Sequence, residues 1–352
     1  MTLLEAASAI APPDPQAAQA AARRLDNLTK PRGSLGYLEE LVQRYAAIRR
    51  DPQARGGPAT ILVFVADHGV GAEGVSAYPV EVTAQMLRNL ATGGAAICAL
   101  ARHFGHRLRV IDTGVALDTR AESLPGVVYR RIGAGTRNFT REPAMARTDA
   151  VRALETGISC AQEAIAEGAT LLGIGEMGIA NSTAAAALLS AITGIEVERM
   201  AGRGTGLDEN GWRHKVAVLR AALTLHRAAF DDGVALLAAL GGFEIAAMAG
   251  TCLGAAAEHV PCVVDGFIAT AAAAVAQRIA PAVIDYLFFA HRSAEGGHQL
   301  ALDYLGARPI LDLDLRLGEG TGAALALAII QAGLAAFHGM ATFAGAGVAE
   351  KL

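Results

Sequence analysis

With 352 residues, 53% of them hydrophobic, the chain can bury a large core in one or two domains without disulfides or metals. A formal net charge of −4 supplies no basic face to neutralise phosphates, which excludes a non-specific nucleic-acid binder. Cys98, Cys160, Cys252 and Cys262 lie far apart among mostly apolar neighbours, with no C-x-x-C pair, and read as reduced, buried thiols.

In chain order, Met1 to Pro15 carries only Glu5 and Asp14 as charges, so no secretion signal is indicated and a cytoplasmic protein is expected. Up to about Arg50 the pattern predicts two helices separated by Lys30-Pro31-Arg32-Gly33-Ser34-Leu35-Gly36. Arg55-Gly56-Gly57-Pro58 is a loop that admits the first core strand. Short apolar runs then recur at Ile61–Val65, Leu108–Ile111, Thr170–Ile174, Cys262–Val264 and Val283–Phe289, with Ala-rich helical stretches between them. Strands without polar alternation are buried on both faces, which predicts an α/β fold with a mostly parallel sheet covered by helices.

From Gly320 to Ala349 the chain has no charged residue and exceeds the length of a membrane span. Its Ala and Gly content, with Gln331 and His338 within the run, favours a buried helix pair broken around Gly339 and Gly345. Met177 to Ile195 is also read as buried rather than membrane-spanning, because Asn181, Ser182 and Thr183 resemble a helix start. The expected organisation is a large α/β domain over 51–319 and a small helical domain from 1–50 and 320–352.

Four glycine-bearing runs are candidates for chemistry. Gly173-Ile174-Gly175-Glu176-Met177-Gly178 follows an apolar strand and precedes a helix expected to be capped by Asn181, Ser182 or Thr183. Glycines let a backbone approach a phosphate and a helix start offers free N–H groups, so this is an anion site in outline. The run also matches G-x-G-x-x-G, with Glu196 or Glu198 about twenty residues on, so a dinucleotide-binding oxidoreductase stays open, although Glu176 would crowd a pyrophosphate. Gly202-Arg203-Gly204-Thr205-Gly206 with Lys215, and Gly133-Ala134-Gly135-Thr136-Arg137-Asn138, are either phosphate cradles or plain turns. In Arg316-Leu317-Gly318-Glu319-Gly320-Thr321-Gly322, partial burial would make Glu319 a base near neutral pH, whereas composition alone favours a solvated loop glutamate.

Asp67-His68-Gly69 and His291-Arg292-Ser293-Ala294-Glu295 end strands and are candidate site walls. Histidines are scattered, H-E-x-x-H is absent, and Asp312 and Asp314 lack a glycine-bounded calcium loop, so neither metal nor cofactor is expected. A G-x-S-x-G elbow is also absent, which counts against a hydrolase triad.

Leu28 to Gly36, Ala66 to Val70, Gly74 to Pro79 with Val82-Thr83, Gly173 to Gly178 with Asn181-Ser182-Thr183, and Gly204-Thr205-Gly206 with Lys215 follow one another along the chain. Gly241-Gly242-Phe243-Glu244, Asp265-Gly266-Phe267, Ser293-Ala294-Glu295 and Leu317 to Gly322 complete the series. Over almost its whole length the chain therefore resembles the nicotinate-nucleotide–dimethylbenzimidazole phosphoribosyltransferases of cobamide lower-ligand activation. The resemblance implies a homodimer with a Rossmann-like large domain and a small domain of helices from both chain ends. It implies that ribose phosphate moves from nicotinate mononucleotide to a benzimidazole-type base, giving α-ribazole phosphate and nicotinate. Glu319 is then the general base and Glu176 a second site carboxylate. Phosphate and ribose fall on Gly175, Gly178, Asn181, Ser182, Thr183, Gly204, Thr205, Lys215, Asp265 and Ser293. Tyr78, Met86 and Leu317 line the base pocket, where some family members carry a small polar residue for Tyr78 and a glutamine for Met86. Ala180 stands where a glycine is common. A purine or phenolic acceptor, and a regulatory nucleotide-binding protein of the same fold, remain alternatives.

Overall fold

Branched apolar residues in unbroken runs give strands that are buried on both faces. The computed structural model describes residues 1–204 and 206–349. Its strands are β1 (Ala59–Ala66), β2 (Arg107–Gly114), β3 (Val127–Tyr129), β4 (Leu171–Met177), β5 (Cys262–Val264), β6 (Leu287–His291) and β7 (Pro309–Leu311). They form one sheet in the order β3-β2-β1-β4-β5-β6-β7. Every neighbouring pair is parallel. In register, Phe64 of β1 lies opposite Ile111 of β2 and Glu176 of β4. The order reverses between β1 and β4, and the crevice beyond the carboxyl ends of strands at such a point is where open α/β sheets bind ligands.

The helices are α1 (Leu3–Ala9), α2 (Pro15–Asp26), α3 (Tyr37–Arg49), α4 (Glu81–Ala91), α5 (Ala96–Phe104), α6 (Arg147–Ala166), α7 (Asn181–Thr193) and α8 (Val197–Met200). They continue with α9 (Glu209–Leu225), α10 (Gly233–Leu240), α11 (Phe243–Ala257), α12 (Phe267–Ile279), α13 (His298–Tyr304), α14 (Thr321–Gly339) and α15 (Phe343–Ala346). α11 and α12 pack on the sheet, with α6, α7 and α10 stacked outside them; α5 and α14 also lie on the sheet and pack on each other. α14 is long and apolar enough to cross a membrane by length and composition, and half of its apolar window is buried. It packs against β4, β5, β6 and α3. The four cysteines are free and buried, as expected.

Several local expectations are corrected. Three helices precede β1 instead of two, because Thr2 and Glu5 form a reciprocal capping box that starts the short α1. α1 packs on α6 and α11, whereas α2 packs on α3. Val283 to Tyr286 belongs to a 3₁₀ turn begun by Pro281, and pairing starts only at Leu287. β7, the short last strand at Pro309–Leu311, was not among the expected strands, and Leu313 beyond it is exposed. β3, a half-buried edge strand of three residues, was not anticipated.

Candidate active site

Gly173 and Gly175 are packing residues within a strand, not parts of a phosphate loop. β4 continues through Met177, so Gly173, Gly175 and Glu176 lie in the sheet. A Cβ on Gly175 would stand 2.3 Å from the Gly320 nitrogen, and one on Gly173 would stand 3.1 Å from Leu327 of α14. Bare backbone here lets the start of α14 rest on the sheet, which leaves no room for a pyrophosphate against these two residues. Glu198, one of the expected ribose ligands of a dinucleotide site, is ion-paired with Arg220. The dinucleotide reading is therefore set aside.

The anion site lies one step further along, at the turn into α7. This helix begins at Asn181 after Ala180, which holds φ +73°. No side chain caps the helix: Asn181 turns its amide to the Glu176 carboxylate instead. Ser182 sits in the first turn and accepts a hydrogen bond from Lys215 Nζ at 3.0 Å. Lys215 is completely buried, and that burial pulls its ammonium down to about 8, with Glu295 acting in the opposite direction. A buried cation, a hydroxyl and the start of a helix together favour an anion.

A cavity of about 130 Å³ joins this turn to the carboxyl ends of β4, β5 and β6. Its walls include Glu176, Gly178, Asn181 and Ser182, then Asp265 beyond β5, and His291 and Ser293 at and beyond the end of β6. Leu317 and Gly318 close it on the α14 side, and Gly204 and Glu295 close it opposite, where the Gly204 nitrogen donates to Glu295 Oε1 at 3.1 Å. Thr205 lies outside the described residues. Gly175 is in β4, and Thr183 is fully buried, so neither is part of this lining. Lys215 reaches the cavity only through Ser182.

Three carboxyl groups meet at this end of the sheet. Burial pushes Glu176 up to about 8, helped by Glu244, Asp265 and Glu319 and partly offset by the Asn181 amide. Asp265 accepts from the Gly320 and Ala323 nitrogens at 3.1 and 2.9 Å, which anchors the first turn of α14. Burial raises Asp265 as well, and His291, 3.8 Å away, offsets part of that rise. Glu319 is 4% exposed, and its burial also raises its pKa. The solvated-loop reading of Glu319 is thus overturned.

Glu319 occupies the left-handed region at φ +61° between Gly318 at +86° and Gly320 at +84°. The turn aims its carboxylate at the start of α5, where the Ile97 nitrogen donates to Oε2 at 3.4 Å. Glu319 is consequently behind the Gly318 wall and not on the cavity surface. Tyr78, 54% exposed, and Met86, half-buried on α4, are also outside the lining, whereas Leu317 is part of it.

The remaining candidates separate into wall and scaffold. Asp67 and His68 back the site: the His68 ring packs near Gly178 and pairs with Glu244 Oε1 at 2.5 Å. Gly133 to Asn138 is a turn that packs on this segment, with Thr136 Oγ1 accepting from the Gly69 nitrogen, and not a cradle. Arg203 pairs with exposed Glu209. Among the described residues no group of three or more His, Cys, Asp or Glu is placed to hold a metal ion. A wider groove at the β3 edge carries Arg120, Arg130, Arg131 and Arg152, but each already faces a carboxylate. Sequence reasoning named His291 and Glu295 as strand-end walls without assigning them to the site, and it missed the His68–Glu244 pair, whose partners are 176 residues apart.

The sequence profile of a phosphoribosyltransferase family, DBI_PRT, matches residues 10–348. A nicotinate-nucleotide–dimethylbenzimidazole phosphoribosyltransferase of Chloroflexus aggregans is 52% identical over 97% of this chain and 96% of its own length. The chain belongs to that family. A relative of the same name from Citrifermentans bemidjiense is 49% identical over the full length of both chains. The crystal structure of CobT from Thermus thermophilus superposes with a TM-score of 0.91 at 45% identity, covering 96% of this chain and all of that one. The fold is thereby that of the family, and the chain is a pentosyltransferase.

Proposed function

We propose that this chain transfers ribose 5-phosphate from nicotinate mononucleotide to 5,6-dimethylbenzimidazole or a related base, releasing nicotinate and forming α-ribazole phosphate for cobamide assembly. The observation that carries the reading is a charge division within one cavity. Its α7 end offers Ser182, backed by buried Lys215, and its β4 end presents Glu176. A nucleotide with a phosphate at one end and a cationic pyridinium at the other fits that division.

In this reading Ser182, Gly178, Asn181 and Gly204 hold the phosphate and ribose, supported by Lys215. Asp265 and Ser293 border the sugar. Glu176 faces positive charge at the anomeric carbon, where the C1′–N bond to nicotinate breaks and leaves a neutral pyridine ring. The base attacks from the opposite face, which inverts the β nucleotide to an α product. Glu319 takes the N–H proton that the base must lose, a contribution of about 10²- to 10⁴-fold in rate. Placing two substrates in line supplies the larger share. Leu317, Tyr78 and Met86 shape the slot for the base, so acceptor choice, purines and phenols included, is decided there. The enzyme works as a cytoplasmic homodimer.

Incubation with nicotinate mononucleotide and 5,6-dimethylbenzimidazole, followed by chromatography, tests this. Free nicotinate and a ribosylated base in equal amounts are expected, and competition among acceptors then ranks them. No product with any benzimidazole, purine or phenol would overturn the reading.

A further inference from the structure

The turn between β4 and α7 is strained, and strained backbone persists only where its surroundings hold it. Gly178 rests against the end of β1, where a Cβ would stand 2.4 Å from the Ala66 oxygen and 3.5 Å from the His68 ring. Ala180 stands in the left-handed region. Between them, the Ile179 nitrogen donates to Thr83 Oγ1 at 3.1 Å. Thr83 is completely buried in the first turn of α4. Its hydroxyl also faces the Asp67 carboxylate, which accepts from the Ala116 nitrogen at 2.7 Å.

We propose that Thr83 is a positioning residue: by fixing the Ile179 N–H it holds the Gly178–Ala180 turn so that Ser182 and the start of α7 receive the nucleotide phosphate. The inference rests on the reading of this turn as the phosphate site. Ile179 and Ala180 both line the cavity. A shift of this turn therefore moves the phosphate cradle directly, while Glu319, carried on the turn into α14, keeps its own anchors at Ile97 and Asp265. Loss of the Thr83 hydroxyl should weaken nucleotide binding far more than it slows the chemical step.

Thr83→Ala and Thr83→Ser differ only in the hydroxyl, so the pair isolates it from loss of the methyl group. Steady-state kinetics with nicotinate mononucleotide and 5,6-dimethylbenzimidazole is expected to show KM for the nucleotide raised about 10-fold in Thr83→Ala, with kcat within about two-fold. Thr83→Ser should stay near the parent in both. Equal KM rises in the two variants, or a loss of kcat or Tm with KM unchanged, would overturn the proposal and leave Thr83 as a packing residue. Ser182→Ala serves as the control for the phosphate site. If it raises nucleotide KM and Thr83→Ala does not, only the role of Thr83 falls. If neither raises it, the phosphate-site reading falls too.

Discussion

Two turns at the carboxyl edge of the sheet each force a non-glycine residue into the left-handed region, Ala180 before α7 and Glu319 before α14. For an L-residue that conformation costs about 1–2 kcal/mol. At Glu319 the cost places a buried carboxylate at the start of α5, in a direction that an extended backbone would not give it. At Ala180 the side chain is one methyl group, so the same cost yields no functional group. The comparison separates a turn whose strain aims a carboxylate from a turn whose strain shapes only backbone.

The largest effect should come from the Glu319 turn. Glu319→Gln keeps the shape and removes the basicity, so kcat should fall about 10²- to 10⁴-fold with nucleotide KM little changed. In the parent, the acid limb of the rate profile should lie above the usual carboxylate range, because burial raises Glu319. A variant as fast as the parent would remove Glu319 as the general base.

Next comes the anion end. Lys215→Met keeps a buried stem without its charge and should raise nucleotide KM about 10- to 100-fold, since hydrogen bonds to charged groups contribute about 1.5–3 kcal/mol. Thermal unfolding of the free protein sharpens the point. Lys215 titrates at about 8 when folded against 10.5 in an unfolded chain, so its charge opposes folding at neutral pH. The variant's Tm should therefore not fall at pH 7. That penalty should fade as pH rises from 8 to 10.5.

Between the turns stands Glu176, at about 8 folded against 4.5 unfolded. A raised carboxylate binds its proton more tightly in the folded state, so its stabilising contribution is complete below pH 4.5 and is lost as pH rises through 8. Glu176→Gln should flatten that decline in unfolding scans. In the parent, placing the nucleotide's pyridinium beside Glu176 should expel the Glu176 proton, seen by calorimetry near pH 7 as heat that varies with the buffer's ionisation enthalpy. Equal heats in all buffers would show Glu176 already ionised.

The smallest expected effect belongs to Ala180→Gly. It relieves the left-handed strain but adds backbone entropy to the unfolded chain, leaving a gain of about 0.5–1 kcal/mol and a Tm rise of about 1–3 °C. Rates should stay near the parent; a large rise or fall would show that the strain at Ala180 is functional after all.

The sheet was legible because unbroken apolar runs such as Ile61–Val65 leave little choice but burial on both faces. β3 was not, since Val127–Tyr129 is too short for periodicity and sits half-exposed at an edge. Gly173 and Gly175 misled because a glycine demanded by a neighbouring backbone looks identical in sequence to one demanded by a phosphate. Glu319 and Ser182 were named from their local motifs, and the fold brings both to the carboxyl edge of the sheet. The Thr83–Ile179 and His68–Glu244 contacts were not legible, because each joins distant segments in a way that no spacing along the chain reveals.

Asp265 ties the Gly320 and Ala323 amides to the end of β5. Those amide protons should be among the last in the chain to exchange with deuterium, because freeing them requires α14 to leave the sheet. The proposed general base is thus mounted on a slowly breathing part of the molecule. Motion in segments such as the exposed Ala77-to-Val80 stretch can then occur while Glu319 keeps its place.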